Sequence, residues 1–328
     1  MNLLNPKLTK VLVHAFCVLV VANIAVSAQS PTEADALRAV TLATNPTTKL
    51  SAAEDFVAKF PNSPARLSIA EVVAGEIRKV KNTTVALTLL ERAQAIFTSE
   101  SEREILKPLT LEIYATGNRT DDAFVLASEM LGKNPDDIQV LVRMTQTGSD
   151  EARKKNRKYG DVSLQYGLRA IALLEGNKRP ESFNDEAWAL HKGSLGQLYQ
   201  QTAILYLAAG NTPEARARLI KASRLSPQDP SNFALLARVI NADYLEQMNA
   251  FEAMAEGKAK QEAKKALEAV LDSMIDTYAR AAGLATGRVE YQTLLQQVIP
   301  DLTNYYKYRH KSTRGLVQLI NQYKPRRG

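Results

Sequence analysis

The 328-residue chain contains one cysteine (Cys17), one tryptophan (Trp188) and three histidines (His14, His191 and His310). Cys17 lies in an N-terminal segment that reads as a removable leader. The remainder is therefore expected to lack a disulfide framework, a thiol nucleophile and a cysteine metal site. His191 and His310 are far apart, and neither has an acidic or thiol ligand beside it. The chain carries no His-Glu-x-x-His, Gly-x-Ser-x-Gly or Ser-x-x-Lys motif, and no phosphate-loop or dinucleotide glycine pattern. Two acidic pairs, Asp121-Asp122 and Asp136-Asp137, sit where helices are expected to start, and the helix dipole accounts for carboxylates there. These absences argue against an enzyme, and no metal or cofactor is expected. No alternating run bounded by hairpin turns is present, so strands are not expected either.

One long apolar run does occur, over residues 11–26 behind Lys7 and Lys10, and it ends at Val26-Ser27-Ala28. The run is shorter than the roughly 20 apolar residues a bilayer span needs, and it contains His14 and Asn23. A basic start, a short apolar stretch and a small-x-small site are the pattern of a cleaved signal peptide. Residues 1–28 are therefore read as a signal, leaving Gln29 first and no transmembrane segment. A lipoprotein signal is disfavoured because Phe16, not a small residue, precedes Cys17. The protein is expected to be exported, either periplasmic or secreted.

The net charge of +7 is unevenly placed. Residues 302–328 hold seven Lys or Arg and no acid, whereas residues 29–301 hold 33 basic against 35 acidic residues. The body is close to neutral and the basicity belongs to the C-terminal segment, so nucleic acid is not an indicated partner.

What the chain has in abundance is Ala- and Leu-rich amphipathic stretches, separated by short breaks such as Phe60-Pro61-Asn62-Ser63-Pro64 and Ser226-Pro227-Gln228-Asp229-Pro230. Reading from Gly196, the residues Tyr199, Ala203, Tyr206, Gly210, Ala215, Leu219, Ala222 and Pro227 fall on offsets 4, 8, 11, 15, 20, 24, 27 and 32 of a 34-residue unit. Small residues at 8, 20 and 27 let two helices approach, and large ones at 4, 11 and 24 fill the gap between them. This unit resembles a tetratricopeptide repeat. Tyr114, Gly117, Ala123, Ala127 and Pro135 are similar to a degenerate copy, as are Ala74, Ala86, Leu90 and Ala93. The Phe-Pro-Asn-Ser-Pro break is similar to repeat ends in exported bacterial members. The resemblance implies an all-α fold, an α-solenoid of antiparallel helix pairs over residues 29–245. Residues 246–328 are expected to add a long helical hairpin, turning at Gly257, and basic C-terminal capping helices. Residues 185–209 and 232–256 read as continuous helices. Residues 258–282 read as a third, with Leu267, Val270, Leu271, Met274, Ile275 and Tyr278 on one face.

Two surfaces could carry function. In tetratricopeptide proteins the first helices of successive units line a groove for a protein or peptide, and the matching positions are Gln200, Gln201, Ile204, Arg238 and Asn241. This set lacks the lysine-and-asparagine clamp used by some members for acidic C-terminal peptides. The resemblance thus implies a non-enzymatic scaffold or adaptor. The second surface is the basic C-terminal segment, where tyrosines interleave with Lys307, Arg309, Lys311 and Arg314. It suggests binding to an anionic envelope component, lipid or wall polymer. Against that, Leu316, Val317, Leu319 and Ile320 give the segment an apolar face, as a packed helix pair would have. Trp188 reads as a packing anchor, and His191 as a packing or surface residue. Asn82-Thr83-Thr84 and Asn118-Arg119-Thr120 are glycosylation sequons if the host glycosylates.

Overall fold

The structure, a computed structural model, describes residues 31–181 and 183–325. The expected signal at 1–28, and Arg326 and Arg327 of the basic segment, lie outside the described residues. Among the described residues the protein is all-helical, with helices packed against their neighbours and no strand. The chain divides into two compact units, with the division between Glu129 and Met130.

The first unit contains α1 (Pro31–Leu42), α2 (Pro46–Lys59), α3 (Arg66–Arg78), α4 (Thr83–Ile96), α5 (Glu100–Thr116) and the start of α6 (Thr120–Lys133). The breaks read from the sequence are where the helices end. Asn45 caps α2 by accepting from the Thr48 amide at 2.9 Å, with Pro46 in the first turn. Asn82 of the sequon segment caps α4 in the same way, through the Val85 amide. At α5, Ser99 and Glu102 form a reciprocal capping box. Glu102 is buried and also receives Arg66 from the start of α3, at 2.6 and 3.1 Å. The same guanidinium donates to the Ile96 carbonyl at the end of α4. One ion pair thus ties three helix ends above a core of Leu50, Phe56, Ile69, Ile77, Leu90 and Leu106.

The second unit takes in the end of α6, then α7 (Ile138–Arg153) and α8 (Gly160–Glu175), followed by α9 (Asp185–Gly193), α10 (Leu195–Ala208) and α11 (Thr212–Leu225). Asp137 caps α7, accepting from the Gln139 and Val140 amides, and Asp121 and Asp122 lie in the first turn of α6. Residues 185–209 are not one helix. The break falls at Gly193-Ser194, where the Ser194 hydroxyl donates to the His191 carbonyl at 2.7 Å, a known cause of helix interruption at Gly/Ser pairs. Helix α10 packs on α7, α8 and α11 and is apolar nearly all round, which is what a helix enclosed on several sides requires. Close approach is possible because Gly167 of α8 faces it. A Cβ there would stand 2.6 Å from the Thr202 methyl and 2.8 Å from that of Thr145.

Next come α12 (Pro230–Glu252) and α13 (Lys258–Ala285), a long hairpin in which α12 ends four residues before the expected 256 and residues 253–257, Gly257 among them, make the turn. On α13, Leu267, Leu271, Met274, Ile275 and Tyr278 are buried and Val270 packs beside them. A short 3-10 turn (Val289–Tyr291) leads to α14 (Gln292–His310), and α15 (Leu316–Gln322) closes the chain. Both pack on α13. Among the described residues no helix is long and apolar enough to cross a membrane.

Candidate functional site

The positions expected to line a groove divide into two groups. Gln200, Gln201 and Ile204 of α10 are buried, between 5 and 8 % exposed. Gln200 donates to Asn232 at 2.7 Å and to Asp229 at 3.1 Å, stitching α10 to the start of α12. The Gln201 carbonyl oxygen is enclosed without a hydrogen-bond partner among the described residues. Arg238 and Asn241 of α12 are different, because they lie one helical turn apart on a side that stays open, Arg238 exposed and Asn241 half-buried.

Around them α13 and α14 bring further polar groups that the sequence reading did not single out. Arg238 donates to Gln297 of α14 at 2.7 Å. The Tyr305 hydroxyl donates to the Asn241 carbonyl oxygen at 2.6 Å, and its ring meets Tyr244 edge-on at 6.1 Å. Beneath them lies Tyr278, fully buried, its hydroxyl beside the Asn241 amide but without a well-aligned hydrogen bond. Burial, reinforced by the nearby Asp301 carboxylate, pushes its ionisation up to about 12. The result is an open polar face on α12 and α14, with guanidinium, amide, carboxylate and phenol groups over an unionised tyrosine. Gln297, Asp301 and Tyr305 are within one helix, but a 34-residue register that stops near residue 245 contains no position for them.

The basic segment is mostly built into the fold. Arg309 makes paired hydrogen bonds with Asp272 at 2.8 and 3.1 Å and lies 3.7 Å from Glu268. Tyr306 is buried and donates to the Arg314 carbonyl at 3.0 Å. Helix α15 sits against Gly283 of α13, where a Cβ would come within 2.6 Å of Tyr323. Lys307, Lys311 and Arg314 are exposed, and Lys311 places its ammonium 4.9 Å from the centre of the Tyr308 ring.

Clefts open on this framework in both units. In the first unit a cleft of about 380 Å³ lies between α5 and α6, and most of its charged side chains pair with one another. Lys107 bridges Glu104 and Glu129, and Arg119 pairs with Asp122 while covering Tyr114. In the second unit a cleft of about 330 Å³ lies between the α12–α13 hairpin and the end of α14.

Trp188 is buried and donates to Asn177 at 3.2 Å, and His191 stacks on Phe183 at 5.0 Å. Burial holds the His191 imidazole below its ordinary value, the direction of a neutral packing ring. No protein-family model matches the chain, and no curated protein matches it in sequence.

Proposed function

We propose that this protein is an exported, non-enzymatic scaffold, an α-solenoid of tetratricopeptide-like helix pairs that holds a protein or peptide partner. Support for the repeat reading comes from α10 and α11. Tyr199, Ala203, Ala215, Leu219 and Ala222 are all fully buried where the two helices cross, and Gly210 turns between them at φ 79°. The observation that carries the binding reading is the open polar face of Arg238, Asn241, Gln297, Asp301 and Tyr305. It is rich in directional donors and acceptors and is carried by rigid helices, the arrangement that fixes an extended chain in place. The expected groove positions Gln200, Gln201 and Ile204 are buried, Gln200 against Asn232 and Asp229 at the start of α12, so the partner face in this reading lies on α12 and α14.

The reading is tested by placing photo-crosslinking residues at 238, 297 and, as a control, at 258 on the exposed hairpin turn. Adducts at 238 and 297 that vanish in the Asn241→Ala/Tyr305→Ala variant support it. Equal labelling at all three positions, or none, overturns it.

A second reading has its own observation, the exposed cations Lys307, Lys311 and Arg314. They favour contact with an anionic lipid or wall polymer. Replacing them with glutamine should then abolish binding to phosphatidylglycerol vesicles, and undiminished binding removes this reading.

A further inference from the structure

The second-unit cleft carries an inference independent of the partner face. Its walls come from α12, α13 and the end of α14. Tyr244, Phe251 and Tyr308 supply aromatic surface, and the buried Tyr244 keeps its proton up to about 12. Charge is distributed unequally. Glu268 and Arg309 both line the cleft, but Arg309 gives its paired hydrogen bonds to Asp272 and lies 3.7 Å from Glu268, so one guanidinium faces two carboxylates. Lys264 and Lys311 remain, and among the described residues neither pairs with a carboxylate. A slot with aromatic and aliphatic walls, in which two ammonium groups outnumber the one remaining carboxylate, is complementary to an anion carried on an apolar body. At about 330 Å³ it is at the small end of ligand sites, which run from roughly 300 to 1,000 Å³.

The backbone supplies a separate argument. Lys311 closes α14 in the left-handed conformation at φ 57°, a place where glycine or asparagine is favoured and a lysine is strained. That conformation carries the Lys311 ammonium over the Tyr308 ring at the cleft. A residue that costs stability where it stands is accounted for if its side chain has a task.

We propose that this cleft binds a small amphiphilic anion, a carboxylate or phosphate on an aryl or short acyl body, with Lys264 and Lys311 holding the charged group and Phe251 and Tyr308 the body. The full chain is titrated by calorimetry with octanoate, octyl phosphate, 1-octanol and acetate. Octanoate or octyl phosphate should bind at least tenfold more tightly than octanol, and acetate should not bind measurably. The tighter of the two anions identifies the charged group as carboxylate or phosphate. Lys264→Gln and Lys311→Gly should each weaken binding at least fivefold, and Phe251→Ala likewise. Lys311→Gly also relieves the left-handed strain, so its melting temperature should stay the same or rise while binding falls, which an unfolding artefact cannot produce. Equal affinity for octanol and octanoate, no binding of either anion, or unchanged affinity in both lysine variants overturns the proposal.

Discussion

Glu102 shows how a single side chain can hold several helix ends. Burial by itself disfavours its charge, but hydrogen bonds from Arg66 and from the Ser99 backbone and hydroxyl, with the guanidinium charge, outweigh that and hold the carboxyl below its ordinary range. A carboxyl so lowered stabilises the fold at pH above its unfolded value, about 4.3, and the contribution is lost as pH falls through the folded value. Glu102→Gln should therefore cost about 3 kcal/mol at pH 7, the loss expected when one partner of a buried pair is removed. The difference from wild type should shrink below pH 4. Urea unfolding at pH 7 and pH 3.5 measures both, and an unchanged difference at the two values contradicts this account. A second residue-scale contrast lies in the glycines. Gly167→Ala forces a methyl against Thr202 and Thr145, and overpacking of this kind costs about 1–3 kcal/mol. Gly75→Ala, inside α3 with no neighbour within 4 Å, should stabilise by about 0.5–1 kcal/mol through helix propensity alone. Thermal melts of the pair should move in opposite directions.

At the scale of elements, α15 is the informative case. It has only seven residues and no side-chain cap, too short to persist by itself, so its helicity depends on docking. The dock consists of Gly283, the buried Leu316 and the Tyr323–Asp276 hydrogen bond. Tyr323→Ala or Gly283→Val should raise amide exchange across Leu316–Gln322 at least tenfold, whereas Val317→Ala, on the exposed side, should not. Protection that survives the first two changes would mean that the helix is held otherwise. The apolar face at Leu316, Leu319 and Ile320 made this docked helix legible in the sequence, and the acidic pairs Asp121-Asp122 and Asp136-Asp137 marked two helix starts, whereas the caps Asn45 and Asn82 were not singled out. The interruption at Ser194 was not legible, because a Gly-Ser pair inside a good apolar pattern is only a local weakness until a hydroxyl takes the preceding carbonyl. The outward side of α10 was not legible for a different reason. A repeat register says which side faces away from the partner helix of the same unit, but not what else in the fold will cover that side. Gln200 and Gln201 are polar and read as solvated, yet Gln200 spends its amide on Asn232 and Asp229 inside the protein. Asp301 and Gln297 join Arg238 and Asn241 through tertiary packing alone, across about 60 residues, a distance no local pattern reports.

Across the whole molecule, ionisable groups buried in an uncharged state set the upper limit of stability in pH. Tyr244, Tyr278 and Tyr323 are each raised to about 12, chiefly by burial, with Asp301 adding to Tyr278 and Asp276 to Tyr323. All three belong to the second unit, on α12, α13 and just past α15. A phenol whose folded value exceeds its unfolded value, near 10, contributes stability in full below pH 10 and loses it as pH rises through the folded value. Helicity should therefore stay flat from pH 7 to 9.5 and fall between pH 10 and 12. The part of the phenolate absorbance that belongs to these three of the twelve tyrosines should rise in step with that fall, because their rings ionise only as the packing around them opens. Tyr278→Phe separates this from ordinary alkaline damage. It removes a buried hydroxyl that has no well-aligned partner, so stability at pH 7 should change little, by about 1 kcal/mol or less. The alkaline midpoint should nevertheless move upward, since one group that must ionise to unfold is gone. If every tyrosine titrates near 10 while circular dichroism stays constant, the rings are not sealed, and the packing of α12, α13 and α14 around Tyr278 is looser than the structure describes.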